Sequence, residues 1–143
     1  MPKVTRNAIV PYSAAQMYEL VNAVEDYPAF VPWCSASTSD QISEEQKTAT
    51  LFFTRGALKT SFTTKNTLTP NECVDMQLVD GPFRHLHGVW KFTNIDDAGC
   101  RVELELDFEL SNRVLKLALE AFFNQISDRL VNAFVKRAEQ VYA

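Results

Sequence analysis

Val102-Glu103-Leu104-Glu105-Leu106-Asp107-Phe108-Glu109-Leu110 alternates apolar and acidic side chains without a break. A period of two marks a strand with one face on a core and the other in water. A few residues later the period changes. From about Arg113 to Tyr142 a long helix is expected, in which Leu115, Leu119, Phe122, Ile126, Leu130, Ala133 and Phe134 fall within about a third of the circumference. So wide a stripe needs an apolar partner of matching length, and only the inner face of a sheet offers one. The expected class is α+β: an antiparallel sheet curled around the C-terminal helix, leaving an elongated apolar cavity where the two surfaces diverge.

Working back toward the N-terminus, the period of two persists from Trp33 to Leu110. Turn signals fall near Ser43-Glu44-Glu45, Arg55-Gly56, Pro70-Asn71, Gly81-Pro82 and Asp96-Asp97-Ala98-Gly99. They divide the stretch into six strands joined by short connections, hence an antiparallel meander. Lys3 to Val10 adds a seventh. Between it and the meander, Ser13 and Gln16 form an S-x-x-Q capping box, and Met17, Leu20, Val21 and Val24 recur at helical spacing, predicting a helix of about three turns. No repeat or linker interrupts the 143 residues, so one domain over 1–143 is expected.

Composition narrows the function classes. Hydrophobic residues at 46% and charged residues at 22% describe a folded chain, not a disordered one. A net charge of −4 gives the surface as a whole no attraction for phosphate backbones, and no DNA partner is expected. The first residues lack the apolar region of a signal peptide, and no apolar run reaches the length of a membrane span, so the cytoplasm is the expected compartment. Cys34, Cys73 and Cys100 are isolated and odd in number, which points to reduced thiols.

Several constellations bear on chemistry. Tyr27-Pro28-Ala29-Phe30-Val31-Pro32-Trp33-Cys34 gathers three aromatic rings and two prolines in eight residues. Each proline biases Tyr27 or Val31 before it toward an extended backbone, so the segment reads as a stiff cavity lid or mouth, or as a plug of the core. Phe83-Arg84-His85-Leu86-His87-Gly88-Val89-Trp90-Lys91-Phe92 sets Leu86, Gly88, Trp90 and Phe92 on one parity, with Phe83 and Arg84 at a possible entrance. Gly88 signals a bulge, a bend or the close approach of another group. His85 and His87 share the opposite parity. Two imidazoles can begin a metal site, but no third ligand follows at a recognisable spacing, so solvated histidines and no metal are expected. The row Glu103, Glu105, Asp107 and Glu109 is read as a solvated face, not as catalytic carboxylates. Known catalytic signatures are missing. Near the C-terminus Phe134-Val135-Lys136-Arg137-Ala138-Glu139-Gln140-Val141-Tyr142 combines cations with surplus apolar positions, since Val131, Val135 and Tyr142 lie off the main stripe. They call for a second contact, either with the first helix and sheet edges or with a partner protein, a membrane surface or the ribosome.

The Y-P-x-F-V-P-W-C segment, the V-D-G-P-F-x-x-L-x-G-x-W-x-F segment of Val79 to Phe92, and the closing F-V-K-R-A-x-x-V-Y together resemble the coenzyme Q-binding START-domain family. That family is also described as polyketide cyclase/dehydrase-like or lipid-transport proteins, and a ribosome association toxin is among its bacterial members. The resemblance runs collinearly over nearly the whole chain; Val31 stands where leucine is common. It implies a helix-grip, START/Bet v 1-like fold, with a seven-stranded sheet around an apolar tunnel. It further implies non-enzymatic binding of ubiquinone or a similar isoprenoid lipid, as a quinone chaperone supporting respiration, peripheral to the inner membrane, with no required cofactor. By the same match Tyr27, Pro28, Phe30, Val31, Pro32 and Trp33 take lid or cavity roles, and Phe83, Leu86, Trp90 and Phe92 wall or mouth roles. Leu115, Leu119 and Phe122 would face the ligand from the helix. The alternative implied is a toxin that binds the large ribosomal subunit and blocks subunit joining, for which the sequence displays no strong basic patch. A third is a cyclase-like enzyme, which needs an inward titratable group such as Tyr27 or a histidine.

Overall fold

The Ser13–Gln16 capping box sets the first boundary of the fold. In the computed structural model, which describes residues 3–96, 99–111 and 116–142, the Gln16 backbone N–H donates to Ser13 Oγ at 3.1 Å and the Ser13 N–H donates to Gln16 Oε1 at 2.9 Å. This reciprocal pair separates β1 (Lys3–Val10) from α1 (Ala14–Asn22). The predicted three turns are not all α-helix. α1 ends at Asn22, and Val24, the last residue of its apolar stripe, opens a 3-10 helix over Val24–Ala29. Tyr27 is therefore not extended before Pro28, as the proline rule suggests; both lie inside the tighter helix, whose packing outweighs a local preference.

The meander follows as β2 (Cys34–Gln41), β3 (Gln46–Arg55), β4 (Leu58–Thr69), β5 (Cys73–Asp80), β6 (Phe83–Ile95) and β7 (Gly99–Leu110). The sheet has seven strands in the order β1-β7-β6-β5-β4-β3-β2, every pair antiparallel. Irregularities between Cys34 and Ala36, Thr63 and Thr64, and Phe83 and His85 curve it. The last has a direct consequence for side chains: the extra residue at Arg84 lets Phe83 point inward even though Leu86, Gly88, Trp90 and Phe92 occupy the other parity.

α2 (Lys116–Tyr142) lies in the concave face. Leu119, Phe122, Ile126 and Phe134 of the predicted stripe are buried, with Leu130 half-buried. Leu115 and the predicted helix start near Arg113 lie outside the described residues. Phe134 is a hub: its ring sits 5.3 Å from Tyr27, 5.0 Å from Phe30 and 5.2 Å from Trp90, joining α2, the 3-10 segment and β6. The surplus apolar residues of the tail are largely used inside the fold. Val131 is buried, and the Tyr142 hydroxyl donates to the Gln16 carbonyl at 3.0 Å while its ring meets Tyr12 at 5.8 Å. Among the described residues no helix is long and apolar enough to cross a membrane.

Candidate functional site

Between α2 and the sheet lies an apolar cavity of about 80 Å³. From the sheet it is walled by Ala49, Leu51 and Phe53 of β3, Phe62, Thr64 and Asn66 of β4, Met76 of β5, and Phe83, Leu86, Gly88 and Trp90 of β6. Leu106 and Phe108 of β7 complete that side. Phe123, Ile126, Ser127, Leu130 and Phe134 of α2 close the other side, with Val24, Tyr27 and Val31 at the 3-10 segment. Of the sequence-predicted residues, Tyr27, Val31, Phe83, Leu86 and Trp90 line this space. Pro28 is exposed and Phe92 stacks behind Trp90 at 6.3 Å; neither belongs to the wall. Leu119 and Phe122 are buried in packing, with Trp33 5.6 Å from Phe122 on its way to the surface. Phe30 and Pro32 line a separate surface groove, together with Arg129 and Arg137.

The volume matters. A buried water needs about 10–15 Å³, and pockets that take drug-sized ligands measure about 300–1,000 Å³. The cavity in this conformation holds a few waters at most and is a seam, not an open tunnel. Five phenyl rings occupy one end of it: Phe62 is 6.0 Å from Phe53, 5.6 Å from Phe83 and 5.9 Å from Phe123, and Phe83 is 4.9 Å from Phe123 and 6.0 Å from Phe108. Phe53 stacks on Phe62, while Phe62 meets Phe83 and Phe123, and Phe83 meets Phe108, edge to face; such aromatic contacts are each worth about 0.5–1.5 kcal/mol beyond burial and can be exchanged for contacts with an incoming ring.

Gly88 also faces the cavity, and its neighbours fill the room it leaves. A Cβ there would fall 2.6 Å from Met76 Cε and 2.7 Å from Leu106 Cδ2, both tips of mobile side chains. β6 runs through Gly88 in regular register, so the glycine marks close packing and not the bulge that was one of its predicted readings.

The polar chemistry of the wall comes from residues that the sequence reading did not single out. Thr64 and Asn66 point inward from β4, and Thr64 Oγ1 donates to Asn66 Oδ1 at 2.7 Å. With its oxygen engaged, the Asn66 carboxamide brings N–H donors to a ligand. Ser127 on α2 donates to the Phe123 carbonyl at 2.8 Å, and its oxygen remains an acceptor. The inward parity of the β4 run Phe62-x-Thr64-x-Asn66-x-Leu68 was the available signal.

Tyr27 is the one titratable side chain in the described wall. Its hydroxyl donates to the Val21 carbonyl, and burial pushes its pKa far above that of free tyrosine, so it stays a neutral donor. Lys47, also on the inward parity of β3, is buried beyond the described wall. It donates to the Asn22 carbonyl at the end of α1, and desolvation lowers its pKa against the opposing pull of Glu25. His85 and His87 lie on the outer face, half-buried, 3.4 Å from Asp107 and 3.1 Å from Asp75 respectively. Among the described residues no cluster of three metal-ligating side chains occurs. The acidic row is tied to cations of its own face: Glu105 to Lys3 at 3.4 Å, Glu109 to Arg84 at 3.6 Å and Glu103 to Arg101 at 3.9 Å. It is a solvated surface, as expected.

A curved sheet gripping a helix over a nearly apolar seam is the architecture of the START and polyketide-cyclase proteins. The chain belongs to the family described as polyketide cyclase / dehydrase and lipid transport, whose model matches residues 10–135. It is 44% identical over 143 residues to the ribosome association toxin RatA of Escherichia coli (strain K12), covering 100% of this chain and 90% of that one. It is 28% identical over 140 residues to the mitochondrial coenzyme Q-binding protein COQ10 of Drosophila melanogaster, covering 95% of this chain and 58% of that one. Among solved structures, the Zhui aromatase/cyclase from Streptomyces sp. R1128 superposes with a TM-score of 0.87 at 17% identity, covering 99% of this chain and 96% of the other, a likeness of fold.

Proposed function

We infer that the protein binds, without transforming it, the ring of a ubiquinone-like isoprenoid lipid in the seam between α2 and the sheet. The observation that carries this reading is the chemistry of the wall: hydrocarbon and aromatic almost throughout, with Thr64, Asn66 and Ser127 as its polar residues and its one ionisable group held neutral by burial. A quinone ring matches that lining, since its carbonyl accepts from the Asn66 carboxamide while its faces pack on phenyl rings. Affinity then grows with the apolar area removed from water, about 25 cal/mol per Å². General acid–base catalysis needs a group able to exchange a proton near neutral pH, and the described lining has none to offer. Because the seam is small, binding requires α2 and the phenyl cluster to move apart, so the ligand selects a more open state than the one described here. Similarity to the coenzyme Q-binding relative supports the choice of ligand class. Lipids extracted from the purified protein and identified by mass spectrometry test it: ubiquinone in stoichiometric amount is expected, and a lipid-free protein that also ignores a soluble short-chain quinone would overturn it.

A second reading has its own support. The 44%-identical relative is named a ribosome association toxin, and the groove beside α2 carries the cations that a ribosomal partner requires, a feature the sequence alone had not displayed. On this reading the chain associates with the large ribosomal subunit. Sedimentation with purified subunits is the expected outcome, and an unchanged subunit profile on overproduction would contradict it.

A further inference from the structure

The groove formed by the end of the 3-10 segment and α2 shares no residue with the apolar seam. It encloses about 520 Å³ and is lined by Phe30 and Pro32 on one side and by Arg129, Lys136 and Arg137 on the other, with no carboxylate in its lining. Arg129 and Lys136 stand two helical turns apart, about 10 Å along the axis, so the cations form a row. This concentration occurs on a chain whose net charge is −4. The six ion pairs among the described residues engage Lys3, Arg6, Arg84, Arg101 and the two histidines; none engages a groove cation.

Aromatic rings hold two of these guanidinium groups in place. Arg129 Cζ lies 5.1 Å from the Trp33 ring centre, where Arg55 approaches to 4.8 Å, and Arg137 Cζ lies 5.1 Å from the Phe30 ring centre. Trp33 itself sits at φ 61°, a left-handed conformation that a bulky residue rarely adopts and that costs on the order of 1–3 kcal/mol. A guanidinium held against a ring loses less freedom when it meets an anion, and its planar edge suits the paired oxygens of a phosphate. The geometry points to this groove as a docking site for the phosphate backbone of RNA, with Arg129, Lys136 and Arg137 contacting successive phosphates and Phe30 offering apolar contact to a base or sugar.

The assignment deepens the ribosomal reading above and rests on it for the choice of RNA over other polyanions. A membrane surface fits less well. Peripheral membrane sites pair cations with projecting apolar side chains, whereas Phe30 is half-buried with Arg137 over its ring, and the most exposed large apolar residues, Leu117, Ile9, Val79 and Ile42, lie outside the groove lining.

The test compares the wild-type protein with R129Q/K136Q/R137Q and with the single exposed change K136E, each checked for an unaltered thermal transition. Three probes are used: a 12-nucleotide single-stranded RNA, purified large ribosomal subunits, and phosphatidylglycerol vesicles. Three phosphate contacts predict a slope of about −2 for log K against log salt, so that raising salt from about 50 to about 200 mM weakens RNA binding by about 20-fold. The triple variant should lose that salt dependence and its binding to both RNA and subunits, and K136E should lose part of it. Equal binding and equal slope in wild type and variants would overturn the groove assignment while leaving ribosome association to another surface. Groove-dependent RNA binding without subunit binding by the wild type would remove the ribosomal reading and keep the groove. Binding of neither overturns both, and groove-dependent binding to the vesicles but not to RNA overturns the assignment in favour of a membrane.

Discussion

Asn66, Lys47 and the cysteines illustrate how single positions are decided by what surrounds them. Asn66 and Lys47 face each other across the β3–β4 ladder, both on the inward parity, yet one lines the seam and the other closes the end of α1. The three thiols differ in the same way. Cys34 and Cys100 are buried and Cys73 is half-buried, and for all three burial is the leading cause of a raised pKa, with Asp75 adding to the effect at Cys73. A raised thiol pKa means a thiolate fraction at pH 8 below that of free cysteine. Labelling of the native protein with a disulfide reagent at pH 8 should therefore be slow and confined to Cys73, with Cys34 and Cys100 reacting on denaturation. Because the folded pKa lies above the unfolded one, these groups stabilise the native state below the ordinary thiol range, and that contribution is lost as pH climbs through it. Rapid reaction of three thiols at pH 8 would contradict the burial described.

Gly88 is the second residue-scale case. In G88A the new methyl pushes Met76 Cε and Leu106 Cδ2 aside, and both border the seam. Since the displaced atoms are flexible ends, the cost in stability should stay below about 1.5 kcal/mol. The seam should narrow, so quinone affinity should fall well beyond what that stability loss explains. Denaturant titration and ligand titration measure the two separately; unchanged affinity would show that the ligand does not use this wall.

Among the elements, α2 and the 3-10 segment depend on each other through Phe134. Removing its ring in F134A takes away contacts to Tyr27, Phe30 and Trp90 at once and should cost about 3–5 kcal/mol, read from the shift of the urea midpoint. A loss below about 1 kcal/mol would mean that the hub is looser than its packing implies. The strands and α2 were legible in the sequence because their hydrophobic period is long and regular, and the capping box located α1 for the same reason: each signal is local. The 3-10 helix was not legible. Tyr27-Pro28 has the local preference of an extended pair, which the packing of Tyr27 against Phe30 and Phe134 and its hydroxyl bond to the Val21 carbonyl outweigh. The division of the aromatic segment was equally hidden: Tyr27 and Val31 turn into the seam while Phe30, Pro32 and Trp33 face α2 and its arginines. No periodicity governs an irregular segment, and α2 residues that follow it by about a hundred positions set each ring's direction. The basic groove was legible only in part: Lys136 and Arg137 stand together in the tail and Arg129 two turns earlier on the same helix, but Phe30 and Pro32, about a hundred positions away in sequence, join them only in the fold.

At the scale of the whole molecule, the sheet and α2 approach closely enough to leave only about 80 Å³ between them. A ligand-binding role then requires two states, a closed one packed by phenyl rings and an open one stabilised by the ligand. A ligand can shift that balance only by its preference for the open form, so binding should stabilise the protein and should slow as the closed packing tightens. The basic groove shares no residue with the seam, so the two proposed activities can be weakened independently by changes at Gly88 and at Lys136.

Trp90 forms part of the seam wall and Trp33 is the only other tryptophan, so a W33F variant reports on the seam alone. Titrating that variant with a short-chain ubiquinone analogue and following tryptophan emission is the most direct measurement. Saturable quenching at one equivalent, weakened by G88A, is the predicted result; emission that stays constant, or that falls only by collision in proportion to quinone concentration, would contradict binding in the seam.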